Sequence, residues 1–180
     1  MELRPYQNEA RLAILESKSE EAHSPLSEDV LQFLAGSVSG NVRQLQGILV
    51  YLGAQARLAG EELTVAKADR LLRKNAGRRE KQLILQAVCD HFDLSADHLR
   101  AKKRDKTTAL ARHVAMYLLR QDAGYSFAEI GKELGNRNHA TVLHGYQKIA
   151  GQAESSQAVM DHLRQIRERI VRQRPSPVQW

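Results

Sequence analysis

The sequence predicts an all-α fold built as two small helical units. Apolar residues recur at three- and four-residue spacing along most of the 180 residues, which is the period of a helix with one buried face. No segment keeps the strict alternation of a half-buried strand. Helix-favouring residues dominate, prolines number four and aromatic residues make up 5%. We therefore expect almost no sheet.

Helix start and end signals place the elements of the first unit. Four helices are predicted there, at about residues 8–21, 27–36, 41–59 and 65–75. Ser27, Asn41 and Thr64 stand where a side-chain oxygen can accept from the first free amides of a helix. Gly60 suits the left-handed conformation that ends one. The first helix is expected to end at the sequence His-Ser-Pro, residues 23–25.

A boundary between the two units is predicted at 76–79, where a glycine and an arginine pair follow the fourth helix. The predicted units are residues 1–75 and 78–174, and the proline-containing tail 175–180 is expected to fray. Six further helices are predicted, at about residues 80–92, 95–101, 107–122, 127–134, 139–153 and 156–173.

Charge differs between the two halves. Residues 1–75 contain 9 Lys/Arg and 10 Asp/Glu, whereas residues 76–180 contain 18 Lys/Arg and 11 Asp/Glu. The first half therefore carries a net charge of −1 and the second half a net charge of +7, which together give the +6 of the chain. A basic region beside a near-neutral one favours a polyanionic partner for the basic region.

The segment 126–149 has the pattern of two short helices joined by a tight turn. Ser126 and Glu129 have the spacing of a capping box, Gly135 suits a helix end and Asn138 can cap the next helix. Polar residues then gather at the beginning of that second helix. A helix-turn-helix presents this end to base edges in the major groove, but an ordinary helical hairpin with a polar corner has the same spacing.

A basic segment, residues 102–106, places four cations in five positions between two predicted helices. Arg112 and Arg120 follow on the next helix. Close to a helix-turn-helix, such cations favour phosphate contacts, which supply most of the salt-dependent affinity for DNA. A solvated helix face or a targeting signal gives a similar run.

Other classes of protein are disfavoured. No apolar run approaches 18 residues, so no membrane span is expected, and the first residues lack the apolar core of a secretory signal. Cys89 is the only cysteine and is expected to be a buried thiol in a reducing, cytoplasmic compartment. His139 and His144 are five residues apart and form no zinc pattern.

Three motifs together resemble the DnaA family of bacterial chromosomal replication initiators. Residues 135–144, GNRNHATVLH, are similar to the family's DNA-binding signature GGRDHTTVLH. Residues 102–106 and 111–118 resemble its basic loop and the following helix, and residues 40–47, GNVRQLQG, resemble NVRELEG in the helical lid of its AAA+ module.

The resemblance implies that residues 1–75 are a lid subdomain and residues 78–174 an origin-binding domain acting on double-stranded DNA in the bacterial nucleoid. It implies major-groove contacts by Arg137, Asn138, His139, Ala140 and Thr141. It implies a minor-groove contact by Arg104 and phosphate contacts by Lys103, Lys106, Arg112, Arg120, Lys148 and the amides at Ser126 and Phe127. It also implies that the lid contacts other initiator protomers and that Arg43 is the lid's nucleotide-sensing arginine, orphaned here without its nucleotide. The alternative is that Arg43 is a surface cation near a helix start.

The chain departs from the family pattern at two major-groove positions. Asn138 replaces Asp and Ala140 replaces Thr, while His113 replaces a common Gln. An aspartate can only accept a hydrogen bond, whereas an amide can accept or donate. A lost base contact costs about 1–3 kcal/mol of discrimination, so we expect a base preference that is altered or relaxed.

The sequence contains no phosphate-binding loop of the form GxxxxGK[ST], because its only Gly-Lys pair, Gly131-Lys132, lacks the earlier glycine. We expect no cofactor for this chain; ATP and magnesium belong to the intact family. The alternatives are a regulator without a motor that competes with an intact initiator, an AAA+ enzyme completed by another chain, and a basic interaction protein.

Overall fold

The structure is a computed structural model that describes residues 4–21, 26–38, 42–102 and 105–173. These residues form α-helices and no strand, which confirms the predicted all-α fold. The helices are α1 (Arg4–Glu21), α2 (Glu28–Ser37), α3 (Val42–Ala59), α4 (Val65–Phe92), α5 (Ala96–Arg100), α6 (Lys106–Gln121), α7 (Phe127–Glu133), α8 (His139–Ala153) and α9 (Gln157–Gln173).

The chain divides into two compact units between Asn75 and Ala76. The division lies inside α4, which continues through the predicted break at 76–79. That expectation of two separate helices was wrong because a helical glycine such as Gly77 costs only about 1 kcal/mol. Its neighbours are arginine, lysine and glutamate, which favour helix, and no proline interrupts them.

The first unit packs α1, α2 and α3 around an aliphatic core that includes Leu15, Leu34 and Leu49. Gly60 adopts a φ of 63° after α3, as its predicted role requires. Ser27 does occupy the N-cap position of α2, yet its side chain makes no capping hydrogen bond. The cap expected at Thr64 is present, since its Oγ1 accepts from the Lys67 amide at 3.4 Å.

The second unit has a separate core formed by the end of α4 and by α6, α8 and α9. Helices α6 and α8 approach closely at Gly145. A Cβ there would lie 2.5 Å from Met116 Sδ and 2.7 Å from His113 Cδ2. Only a glycine allows this approach without displacing those side chains, and α8 is thereby held against α6.

Several predicted features lie outside the described residues. They are the helix break at 23–25, the cap Asn41, the cations Lys103 and Arg104, and the tail 175–180. Within the described ranges, no helix combines the length and apolarity needed to cross a membrane.

Candidate nucleic-acid interface

The predicted capping signals around the helix-turn-helix are present. The Ser126 side chain and the Glu129 carboxylate form a reciprocal capping box at the start of α7. Gly135 adopts a φ of 88° and Asn136 a φ of 56° in the turn that follows. Asn138 Oδ1 then accepts from the Thr141 amide at 2.8 Å, which caps α8. Local side-chain chemistry therefore determines where both helices begin.

Two glycines allow the turn to pack closely on neighbouring backbone. A Cβ at Gly131 would overlap the carbonyl oxygen of Arg137, and one at Gly135 would overlap that of Arg100. Residue 135 also has the left-handed φ that favours glycine. The corner between α7 and α8 is consequently seated on the end of α5, just before the basic segment.

Glu133 connects this corner to the rest of the second unit. Its carboxylate accepts from Lys81 Nζ at 2.6 Å and from Arg100 Nη2 at 3.0 Å. The Lys81 hydrogen bond, followed by that of Arg100, holds the pKa of Glu133 below its ordinary value against the opposing effect of burial. The end of α7 is therefore joined to both α4 and α5.

The carbonyl of Ala101 joins the basic segment to the helix-turn-helix. It accepts from Arg112 Nη2 at 2.9 Å and from Arg137 Nη2 at 2.7 Å. Arg112 also donates from Nε to the Leu99 carbonyl at 2.9 Å. Because these groups lie on α6, on the turn before α8 and beside the basic segment, one carbonyl links all three.

Arg112 was predicted to contact or approach phosphate, and the structure corrects this. Its side chain is buried, with 7% of the residue exposed, and its guanidinium donates to backbone carbonyls. Burial lowers the pKa of Arg112, and the nearby cation of Arg137 lowers it further. The sequence pattern did not reveal this because Arg112 lies 11 and 13 residues from the carbonyls of Ala101 and Leu99.

Arg137 was predicted to read a base, but its guanidinium is directed at Ala101 instead. Its Nε is buried and without a partner among the described residues, and burial lowers the pKa of the guanidinium. A half-buried arginine bound to a backbone carbonyl 36 residues earlier acts on the placement of the basic segment. The contact of Arg137 with a base stays a prediction, and its hydrogen bond to Ala101 is what the structure shows.

The start of α8 presents exposed residues, namely His139, Ala140 and Thr141. The His139 ring lies edge-on to Phe127 with centroids 5.3 Å apart, an arrangement favoured between aromatic rings. Phe127 thus orients His139 while leaving it exposed. These three residues and Asn138 form one polar surface, which we call the α8 tip.

Phosphate-binding groups were predicted around the start of α7. Arg120 is exposed, donates to the Tyr125 carbonyl at 3.1 Å and lies 5.0 Å from the Phe127 ring centroid. The Ser126 amide, however, donates to Glu129 Oε2 at 2.9 Å. It is already engaged, so that predicted phosphate contact is corrected to a cap, and the amide of Phe127 remains as the prediction.

Lys106 and Lys148 stay exposed as predicted. Lys106 is the first residue of α6, one residue earlier than expected, and Asp105 caps that helix by accepting from the Thr108 amide at 2.9 Å. Lys148 lies on α8. After burial, its positive charge is the next cause that lowers the pKa of His113. Both cations are exposed and can face a polyanion.

The remaining predictions concern Arg43, Cys89 and metal binding. Arg43 is exposed on the first turn of α3. Cys89 is buried as predicted, and burial raises the pKa of its thiol. In the described part of the chain, no three His, Cys, Asp or Glu side chains converge as metal ligands.

A row of aromatic rings next to the α8 tip was not anticipated. Tyr146 stacks on Tyr117 at 5.6 Å and contacts Phe127 at the same centroid distance. The spacing of Tyr146 on the apolar face of α8 was visible in the sequence, but its partners come from two other helices. The row continues through Phe127 to His139 and braces the beginning of α8.

Comparison with known proteins adds family information. Residues 82–149 match the family model of the bacterial DnaA protein helix-turn-helix. The chain is 36% identical over 182 residues to the chromosomal replication initiator protein DnaA of Thermomicrobium roseum, and 38% identical over 171 residues to that of Thermus thermophilus. These alignments cover 98% and 93% of this chain, but 39% of each relative. A crystal structure of a DNA replication initiation factor aligns at 25% identity and a TM-score of 0.49, covering 91% of this chain and 48% of that one.

Proposed function

Because residues 82–149 belong to the bacterial DnaA helix-turn-helix family, we propose that this chain binds double-stranded DNA sequence-specifically at replication-origin boxes. The α8 tip enters the major groove, and the basic segment 102–106 lies along the neighbouring minor groove. Docking the start of a recognition helix in the major groove is the general mode of helix-turn-helix domains. The binding serves replication initiation and its regulation.

One observation carries the proposal: the hydrogen bond from Arg137 Nη2 to the Ala101 carbonyl, 2.7 Å long. It joins the residue just before the α8 cap to the residue just before the basic segment. Gly135 packs on the Arg100 backbone at the same place. Two DNA-binding elements on one duplex need a fixed spacing, and this contact supports such a spacing.

The exposed residues of the α8 tip have the chemistry for reading base edges. His139 can donate to a base acceptor from its ring. The methyl groups of Ala140 and Thr141 can pack against the methyl group of thymine. Arg104 supplies the minor-groove contact in this proposal, since a guanidinium suits the narrow, negative groove of A·T-rich DNA.

Cations of the second unit supply affinity. Lys106, Arg120, Lys148 and Lys103 contact phosphates, and the Phe127 amide adds a further donor at the start of α7. Each phosphate neutralised by such a cation steepens the salt dependence of binding, by a slope of about 0.9 per contact. The net charge of +7 in residues 76–180 supports this part of the proposal.

Residues 1–75 act in this proposal as a lid subdomain of an AAA+ initiator. Arg43 is then a nucleotide-sensing arginine without its nucleotide, because ATP and magnesium are held by the nucleotide-binding part of an intact initiator. The chain spans 39% of the length of the DnaA relatives that it matches. Three exposed apolar residues of α3, Val42, Val50 and Leu58, support a protein contact on this unit, including one with another initiator protomer.

Fluorescence anisotropy with an origin-box duplex and a scrambled duplex of the same composition, across a salt series, tests the proposal. At physiological salt, we expect the protein to bind the box at least roughly a thousandfold more tightly than the scrambled duplex. His139→Ala should reduce that ratio. Arg120→Ala should weaken both duplexes alike and reduce the salt slope by about one. Equal affinity for both duplexes would instead favour a basic interaction protein without sequence preference.

A further inference from the structure

The side chain of Asn138 has one permitted orientation. The Thr141 amide, in the first turn of α8, donates to Asn138 Oδ1 at 2.8 Å. Only the oxygen of a carboxamide accepts, since its nitrogen carries two donors and no acceptor. Reversing the amide would therefore leave the Thr141 amide facing another donor. The capping hydrogen bond fixes the oxygen towards the helix.

The nitrogen consequently faces away from α8. The oxygen and the NH₂ group of a planar carboxamide diverge from one carbon, so an oxygen held by the Thr141 amide leaves the NH₂ group directed away from that hydrogen bond. Asn138 is exposed, and the next three residues of the chain, His139–Thr141, are exposed as well. The outward group of Asn138 is thus a donor on the α8 tip.

A donor and an acceptor at this position select different bases. In the major groove, guanine presents N7 and O6 as acceptors, adenine presents N7 and thymine presents O4. Cytosine presents only its amino group, which is a donor. We infer that Asn138 selects an acceptor-bearing base and disfavours cytosine at the base that it faces, because its capping hydrogen bond turns the oxygen to the helix and leaves both hydrogens of the NH₂ group for recognition. This inference rests on the proposed DNA binding.

An aspartate in the same place would give the opposite preference. Asn138→Asp keeps an oxygen for the Thr141 amide, because Asp and Asn are equally good N-caps, and its charge is favourable at a helix start. Its second oxygen then faces outwards as an acceptor. The variant therefore changes the outward group from donor to acceptor, with almost no change in shape.

The experiment uses the full chain and a randomised duplex library to obtain the preferred site. Anisotropy is then measured on duplexes that carry each of the four base pairs at every position of that site. Wild type should bind worst when cytosine occupies one particular position, by roughly 5- to 100-fold. Asn138→Asp should bind cytosine best at that same position, with other positions unchanged.

Asn136→Asp is the matched control, because Asn136 lies in the exposed turn two residues earlier with a φ of 56° that Asp also tolerates. It adds the same negative charge and should weaken all duplexes equally. Unchanged base preference in Asn138→Asp, or the same altered preference in Asn136→Asp, overturns the inference while sequence-specific binding stands. Selection of no site by wild type removes the proposed function and the inference with it.

Discussion

Arg112 and Arg137 donate to the same carbonyl oxygen, that of Ala101, at 2.9 and 2.7 Å. Two guanidinium groups of like charge are thus held close together in a partly buried site. Burial, and then their mutual repulsion, oppose this arrangement and lower the pKa of Arg112. The geometry persists because charged donors to a carbonyl make strong hydrogen bonds. It fixes the backbone just before the basic segment.

Arg137→Ala should weaken binding to the preferred duplex by about tenfold or more, since a hydrogen bond to a charged group contributes about 1.5–3 kcal/mol. If Arg137 positions the basic segment, the loss is similar for every base pair tested at each position. A direct base contact would instead relax selection at one position. Arg164→Ala, which removes an exposed arginine of α9 paired with Asp161, is the control for charge. Anisotropy on the same duplex set distinguishes the two roles.

Arg112→Met should destabilise the second unit by about 2–3 kcal/mol, because it leaves buried carbonyls without a donor. Arg120→Met removes an exposed arginine of the same helix and should lower the free energy of unfolding by less than about 1 kcal/mol. Urea unfolding followed by circular dichroism measures both. The opposite ranking would show that Arg112 is not a structural residue.

Gly145→Ala should destabilise the protein by about 1–3 kcal/mol, as overpacked sites do. The new Cβ would lie 2.5 Å from Met116 Sδ and force α6 and α8 apart. Gly151→Ala is made on the same helix, where a Cβ meets nothing within 4 Å. It should be neutral or stabilising by up to about 1 kcal/mol. Equal effects of the two changes on thermal unfolding would contradict the close packing at Gly145.

Stability should fall as the pH is lowered from about 7 to 5. Burial lowers the pKa of His113, and Lys148 and His144 lower it further; burial and His162 do the same for His91. Below the ordinary histidine pKa of about 6.5, the unfolded chain binds protons that the folded chain does not. The free energy of unfolding therefore decreases with decreasing pH, by at most about 1.4 kcal/mol per pH unit for each group.

His113→Gln removes one of these groups and keeps an uncharged side chain between α6 and α8. Its unfolding free energy should depend less steeply on pH than that of wild type, as measured by urea unfolding at several pH values. A slope equal to that of wild type would mean that His113 does not contribute to the acid sensitivity.

Features determined by neighbouring residues could be predicted from the sequence. The capping box of Ser126 and Glu129, the left-handed Gly135 and the cap Asn138 depend on groups within a few residues, and all are present. Helix boundaries were accurate to one or two residues in the second unit after α4. Where the predicted boundary relied on composition, at 76–79, a continuous helix was found instead.

Contacts between distant parts of the chain could not be predicted in the same way. An arginine reads identically in sequence whether it faces phosphate or a carbonyl, so Arg112 and Arg137 were assigned to DNA. Only the fold brings Ala101 to both of them. Likewise, the pairing of Lys81 with Glu133 spans 52 residues and has no local signal.

The capping hydrogen bond of Asn138 restricts how this protein can diverge. Thr141 needs an oxygen from residue 138, and Ser, Thr, Asp and Asn are the side chains that supply one well. A substitution of residue 138 by any other side chain should lose about 1 kcal/mol of helix stability. Ala140 makes no capping hydrogen bond, so under the proposed function it is the residue of the α8 tip that can change its base contact without loss of the helix cap.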